Sequence, residues 1–348
     1  MIKNLCKLFV VYIVVLVLFA GCAQKTNVRA LKAGKVNDTS VKSIAVLEFK
    51  NDSIGQSDII ATKLSNYKLD SKNYFKVANR TNIKAVLNEK KLNDSGLVDI
   101  DEGSSKGLSR VKTLMTGRVL DVGSSRNVHY KTIDTNRCAE YSKDKKGRQY
   151  CKRYYTRQIY CETRNYTVQT NIKIIKVATS RILYTKNYNA SDKKSKCQNE
   201  SKVLPSRYQM APKLSDNIAS QIVADIAPSY KNFDVKLLDD PDTNYSSGSE
   251  TLLKTSLKLI EKNRMSEAAN ILQKLNRNTG HSSYVALYNY GVAQEATGKL
   301  DHALKLFKQA NAQALKKGEV IDDISLAIKR VSANIIEKQK ANKQIKGK

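Results

Sequence analysis

Apolar positions along the chain follow two regimes that meet near residue 229. Before it, short β-branched runs alternate with segments of helical period. Val41–Phe49, in VKSIAVLEFKNDS, ends in Asn51-Asp52-Ser53, which predicts a strand and a turn. Ile59, Ile60, Leu64, Tyr67 and Leu69 have helical spacing, Tyr74–Val77 reads as a short strand, and Ile83, Val86, Leu87 and Leu92 predict a second helix. Val111–Val122 is a long strand with Gly117 where close packing would fit. Val168, Ile172, Ile174 and Val177 lead through a turn at 178–181 into Ile182-Leu183-Tyr184, a hairpin. Leu214, Ile218, Ile222, Val223 and Ile226 repeat at 3.6 and stop at Ala227-Pro228. Residues 229–249, rich in Asp, Ser, Pro and Gly, read as a linker, and beyond them the period is purely helical. The fold class is therefore α/β followed by an all-α region.

The N-terminus carries an address. Residues 8–21, LFVVYIVVLVLFAG, are uncharged, follow Lys3 and Lys7, and end in small residues before Cys22. Roughly 20 apolar residues are needed to span a bilayer, so the run suits a signal better than a transmembrane helix. The layout resembles a bacterial lipoprotein signal with the lipobox Phe19-Ala20-Gly21-Cys22, Phe19 standing where Leu is usual. The resemblance implies that 1–21 are removed and Cys22 is lipidated. Ala23 implies sorting to the outer membrane, facing the periplasm. Residues 22–41 are polar and without period and are expected to be a flexible tether.

Export changes the meaning of the charge. The net charge is +29, and loss of Lys3 and Lys7 leaves +27. In the cytosol this would suggest nucleic acid. Outside it, the abundant anionic surfaces are lipid headgroups, lipopolysaccharide phosphates and cell-wall polymers; the charge reads either as a surface for such polymers or as solvated Lys-rich faces, and nucleic acid is not expected. Of the six cysteines, Cys138, Cys151, Cys161 and Cys197 remain for pairing, which in an exported protein reads as two disulfides. Three connectivities are open. Cys138–Cys151 with Cys161–Cys197 is preferred because the first pair closes a short basic loop. A zinc site is the weaker alternative, since no CxxC pair or nearby His supports it, and no metal or cofactor is expected.

Four segments carry a further resemblance: SIAVLEFKNDS, YFKVANRTNIKAVLNE, LMTGRVLDVGSS and NIKIIKVATSRILYTKNYNAS. In this order behind a lipobox, they are similar to the CsgG-like family of curli production assembly and transport lipoproteins, over about 22–228. The resemblance implies an α/β sandwich domain at 42–228 and a homo-oligomeric ring. The ring-forming member crosses the outer membrane with two hairpins, at positions matching 123–165 and about 191–210 here. A barrel hairpin needs about ten residues with one apolar face, and a mid-membrane Lys or Arg there costs about 2–4 kcal/mol. The basic insert 123–165 offers no such face, and the second segment is short and holds Pro205. Both are expected to be disulfide-pinned soluble loops. Six tyrosines, 130, 141, 150, 154, 155 and 160, lie among Arg and Lys, either as a binding surface or as cross-strand packing.

In the last third, VALYNYGVAQEATGKLDHALKLFKQANAQAL resembles a tetratricopeptide repeat. Gly291 matches its helix-crossing position, Gly298 its turn, and Ala303, Phe307 and Ala310 its second helix, while Tyr290 and Gln294 depart from the usual residues. A weaker copy precedes it around Ala268. Ile324, Ala327, Ile328, Val331, Ile335 and Ile336 would cap the array. The resemblance implies a repeat domain at 250–340 whose groove takes a protein partner, with a basic disordered tail at 341–348.

No nucleophile elbow, phosphate loop or HExxH stands in the chain, and the three histidines, 129, 281 and 302, lie apart, so an enzyme is not expected. Two functions fit: a lipid-anchored assembly or secretion accessory, or a peptidoglycan-associated lipoprotein that activates a cell-wall synthase.

Overall fold

The computed structural model describes residues 24–78 and 111–346. The signal run, Cys22 and the helix expected over 83–92 lie outside the described residues. The chain divides into two compact units, one running from Gly34 to Ala227 and the other joining the described residues up to Ala33 to Pro228–Lys346.

The Gly34–Ala227 unit is α/β. Strand β2 (Ser43–Val46) runs parallel to β5 (Lys76–Ala78) on one side and to β6 (Thr113–Lys143) on the other. β6 then pairs antiparallel with β7 (Gln149–Lys176), and β7 with β8 (Ile182–Cys197), giving the order β5-β2-β6-β7-β8. Between β2 and β5 lie helix α1 (Gln56–Ser65) and the short strands β3 (Lys68–Leu69) and β4 (Lys72–Asn73). Helix α2 (Arg207–Ile226) packs against α1, β6, β7 and β8. It opens with a capping box, the Ser206 hydroxyl accepting from the Gln209 amide and the Gln209 side chain from the Ser206 amide. The even-numbered positions Val168, Ile172 and Ile174 are buried, as are Leu214, Ile218 and Ile222 on α2 and Ile60 and Leu64 on α1. The expected strand 41–49 is shorter than its apolar run. A one-residue bridge, Lys50 to Arg118, continues it. Gly117 makes this approach possible: a Cβ there would lie 2.6 Å from the Asn171 carbonyl oxygen and 2.7 Å from the Phe49 ring.

The second unit is a two-stranded sheet on five helices. β1 (Lys25–Lys32) pairs antiparallel with β9 (Ser229–Lys236) in unbroken register. Helices α3 (Ser247–Glu261), α4 (Met265–Asn278), α5 (Tyr284–Ala296), α6 (Leu300–Lys316) and α7 (Asp322–Lys346) follow, each packing on the next. Ser246 and Ser283 cap α3 and α5, accepting from the amides of Ser249 and Ala286. Gly280, Gly298 and Gly318 take positive φ just past α4, α5 and α6, the backbone state glycine adopts without strain. Helix α5 is buried continuously from Val285 to Glu295, as the middle of an array must be.

Five expectations need correction. Residues 22–41 are not simply a tether, because β1 occupies 25–32 and Thr26, Val28 and Ala30 turn inward. The alternation in KTNVRALK is regular; its polar residues disguise it. Residues 229–249 are not simply a linker, because β9 takes 229–236 and α3 begins at 247. The tail expected to be disordered at 341–348 is helical through Lys346, with Ala341 and Gln344 buried. Ile336, placed on the capping face by spacing, is 53% exposed.

The fifth correction concerns 123–165. This segment is no loop. It is the outer part of the β6–β7 hairpin, in register through a turn at Asp144–Arg148, with irregularities between Asp134 and Tyr141. Strand formation here needs no apolar face, because the two strands pair their facing backbone groups while most side chains on both faces are exposed. The second segment, about 191–210, splits into the end of β8, an irregular stretch with Pro205, and the start of α2.

Candidate functional site

The ribbon is the site the sequence singled out most densely. β8 ends at Cys197, opposite Cys161, so beyond that pair the hairpin is two-stranded. Residues 130–143 then run against 149–160 for about 45 Å at roughly 3.4 Å per residue. Two disulfides bracket this stretch. Cys161–Cys197 joins directly opposed residues at its root, with Cα atoms 3.9 Å apart. Cys138–Cys151 crosses the irregular part near the tip, with Cα atoms 5.7 Å apart. With sulfur bonded to sulfur, none of these four is a thiolate able to bind zinc.

The side chains along the ribbon are cationic and aromatic. Over 123–165, eleven Lys and Arg face four Asp and Glu. Glu140 meets Lys152 at 2.8 Å and Arg153 at 3.5 Å, and Asp144 meets Arg148 at 2.8 Å. Asp144 also accepts from the amides of Lys146 and Arg148, which shapes the tip and, with the Arg148 contact, holds its carboxyl below the ordinary range. Arg137, Lys143, Lys145, Lys146 and Arg157 are exposed and have no carboxylate partner among the described residues. Tyr130 is 68% exposed and Tyr155 57%, with Tyr141, Tyr150 and Tyr154 also exposed. One cross-strand pair packs edge to face, Tyr130 on Tyr160, with centroids 6.3 Å apart, and Arg126 donates to the Tyr160 hydroxyl. The tyrosines therefore divide: one pair packs, and the four nearer the tip face solvent.

Sequence reasoning missed a polar hub in the same unit. Asp225, on α2, accepts from the hydroxyls of Tyr184 and Tyr188 at 2.9 Å each and from Lys186 at 2.7 Å, and it pairs with Lys35 at 2.7 Å. Burial alone would raise its pKa, but these donors outweigh burial and hold the carboxyl well below its ordinary value. The hub fastens β8 and the segment at Lys35 to α2. Nothing in the local sequence announces it, since its members are separated by up to 190 positions.

In the helical unit, the five repeat-like positions meet or terminate one helix pair. A Cβ on Gly291 would lie 2.6 Å from the Phe307 ring, so glycine sets the closeness of α5 and α6. Ala303, Phe307 and Ala310 are fully buried on α6, and Gly298 closes α5 with φ +76°. The layer of alternate helices, where a repeat array offers its groove, is occupied by the chain itself. β1 packs on α3, α5 and α7. Val28, Val235 and Leu237 join the helical core. Asn289 on α5 brackets Leu238, accepting from its amide at 3.1 Å and donating to its carbonyl at 2.6 Å. Tyr288 donates to the Lys236 carbonyl at 2.9 Å. Glu295, fully buried on α5, takes a bidentate pair from Arg330 of α7 at 3.0 and 2.7 Å.

The histidines stay apart, His281 against Asn276 at 2.9 Å and His302 edge-on to Tyr290. No helix of the described residues is long and apolar enough to cross a membrane.

No protein-family model matches the chain, and no curated protein matches it. Among solved structures, the PelC dodecamer from Paraburkholderia phytofirmans is similar at a TM-score of 0.23 and 9% identity, covering 57% of this chain and 97% of that one. A single-residue variant of the same dodecamer is similar at a TM-score of 0.23 and 10% identity over the same shares.

Proposed function

We propose that the protein is a lipid-anchored, non-catalytic scaffold of the bacterial cell envelope, held by Cys22 and acting in assembly or secretion through a CsgG-like α/β domain that forms a homo-oligomeric ring. The observation that carries this reading is the pair of disulfides bracketing the ribbon, because such bonds persist in oxidising compartments and are rare in the cytosol. The lipobox-like Phe19–Cys22 supplies the anchor, since two or more acyl chains hold a protein stably where one is marginal. Support for the ring comes from strand edges. β8 pairs on one side only, and the outer edge of β6 beyond Arg118 has no neighbouring strand among the described residues. Such edges pair with another chain unless blunted, and head-to-tail pairing of one edge with the other closes a ring.

The test is membrane fractionation with intact-mass measurement of the wild type and of Cys22→Ser. The proposal expects a mature chain starting at Cys22, heavier by a diacylglycerol, in the membrane fraction, and an unprocessed, unlipidated variant. A wild-type chain of unmodified full-length mass contradicts it.

A further inference from the structure

The tip half of the ribbon has a composition that selects its partner. From Asp134 to Gln158 there is no Val, Ile, Leu, Met or Phe. A segment that inserts into a bilayer's acyl boundary needs an apolar face of Leu, Phe or Trp, and this stretch has none, so a lipid surface could hold it by charge alone. What it presents instead is four exposed tyrosines, 141, 150, 154 and 155, and five exposed cations with no carboxylate partner among the described residues: Arg137, Lys143, Lys145, Lys146 and Arg157. Arg137 and Lys143 stand on β6, Arg157 on β7, and Lys145 and Lys146 in the turn between them, so the cations are spread along the ribbon from its middle to its tip. Tyr rings offer flat, partly apolar surfaces at low entropic cost. The Cys138–Cys151 bond holds the two strands in one arrangement before any ligand arrives, which lowers the ordering cost of binding.

We infer that this part of the ribbon binds a linear acidic glycan, a polysaccharide with carboxylates along its length. Its carboxylates pair with the five cations, and its sugar faces stack on the tyrosines. Charge alone would accept any polyanion, and the interleaved rings favour one that also has flat apolar faces. This surface goes beyond the ring proposal and does not depend on it: a monomer that binds the glycan would overturn the ring and leave the surface standing.

Polygalacturonate is the probe, titrated against the mature protein purified in non-ionic detergent, with neutral dextran, polyphosphate and phosphatidylglycerol vesicles in parallel. Polygalacturonate is expected to bind in the micromolar range, more weakly as salt rises, since ion release drives the contact. Dextran is expected not to bind, and polyphosphate and the vesicles to bind at least ten-fold more weakly. The five-fold variant Arg137→Gln, Lys143→Gln, Lys145→Gln, Lys146→Gln and Arg157→Gln should lose at least ten-fold in affinity. Tyr150→Ser with Tyr154→Ser and Tyr155→Ser should weaken polygalacturonate about ten-fold and leave polyphosphate unchanged. Circular dichroism and disulfide mapping confirm that both variants are folded. Unchanged affinity in the cation variant, equal binding of dextran or polyphosphate, or tighter binding of the vesicles would each overturn the inference.

Discussion

Single side chains decide several features here. Gly291→Ala places a methyl against the Phe307 ring at 2.6 Å. Overpacking of this kind costs about 1–3 kcal/mol, so the melting temperature should fall by several degrees, read by calorimetry. Asp225→Asn removes the charge that Lys35 and Lys186 share, and both lysines can re-solvate because they are 60% and 40% exposed. The loss should be about 2 kcal/mol by denaturant titration. Acid sensitivity has a definite sign. Burial would raise the Asp38 pKa, but donors from Ser40 and Lys176 outweigh it and lower the value to about 2. Asp38 and Asp225, both depressed, therefore contribute stability above about pH 4 that is lost as pH falls towards 2, and unfolding midpoints should be flat from pH 5 to 7. The cysteine spacing leaves three pairings open, and Cys138 meets Cys151 and Cys161 meets Cys197 only once the strands have paired. The Asp225 hub was not legible, because its donors come from Lys35 and from β8 and meet only after the sheet has formed.

Among elements, the apolar ones were legible and the polar ones were not. The inner parts of β6 and β7, up to Val122 and from Val168, and the core of α2 follow from Val, Ile and Leu at period 2 or 3.6. β1 did not, because its inward positions are Thr26, Val28 and Ala30, a weak apolar set that gains its burial from helices distant in sequence. Val28 is fully buried. Val28→Asp should release β1 from α3, α5 and α7, and limited proteolysis should then cut within 25–36, where the wild type resists. The ribbon is partly legible: cross-strand packing is one of the two readings its tyrosines allow, while the lack of a membrane-facing apolar pattern points the segment as a whole to loops. Replacing Cys138 and Cys151 by Ser should speed amide exchange in Tyr141–Arg153 at least ten-fold and leave Val168–Ile174 unchanged, since only the tip depends on that bond. A uniform change across both stretches would show that the bond stabilises the unit as a whole.

At the scale of the molecule, the switch from alternating to purely helical periodicity gave the class, an α/β unit and a helical one, but not their boundaries. The N-terminal strand joins the helical unit, because β1 finds its backbone partner in β9, some 200 residues away. A lipidated Cys22 would then lie two residues from a docked strand, so the anchor would pull on the helical unit without a long spacer. The ring is the central claim, and it rests on two open strand edges and on the four CsgG-like segments. Mass photometry of the wild-type protein, extracted from native membranes in mild detergent, tests it most directly. The account predicts one dominant species of several times the mass of the processed, lipidated chain, with a single stoichiometry that survives dilution. A dominant species at the mass of one chain would contradict it.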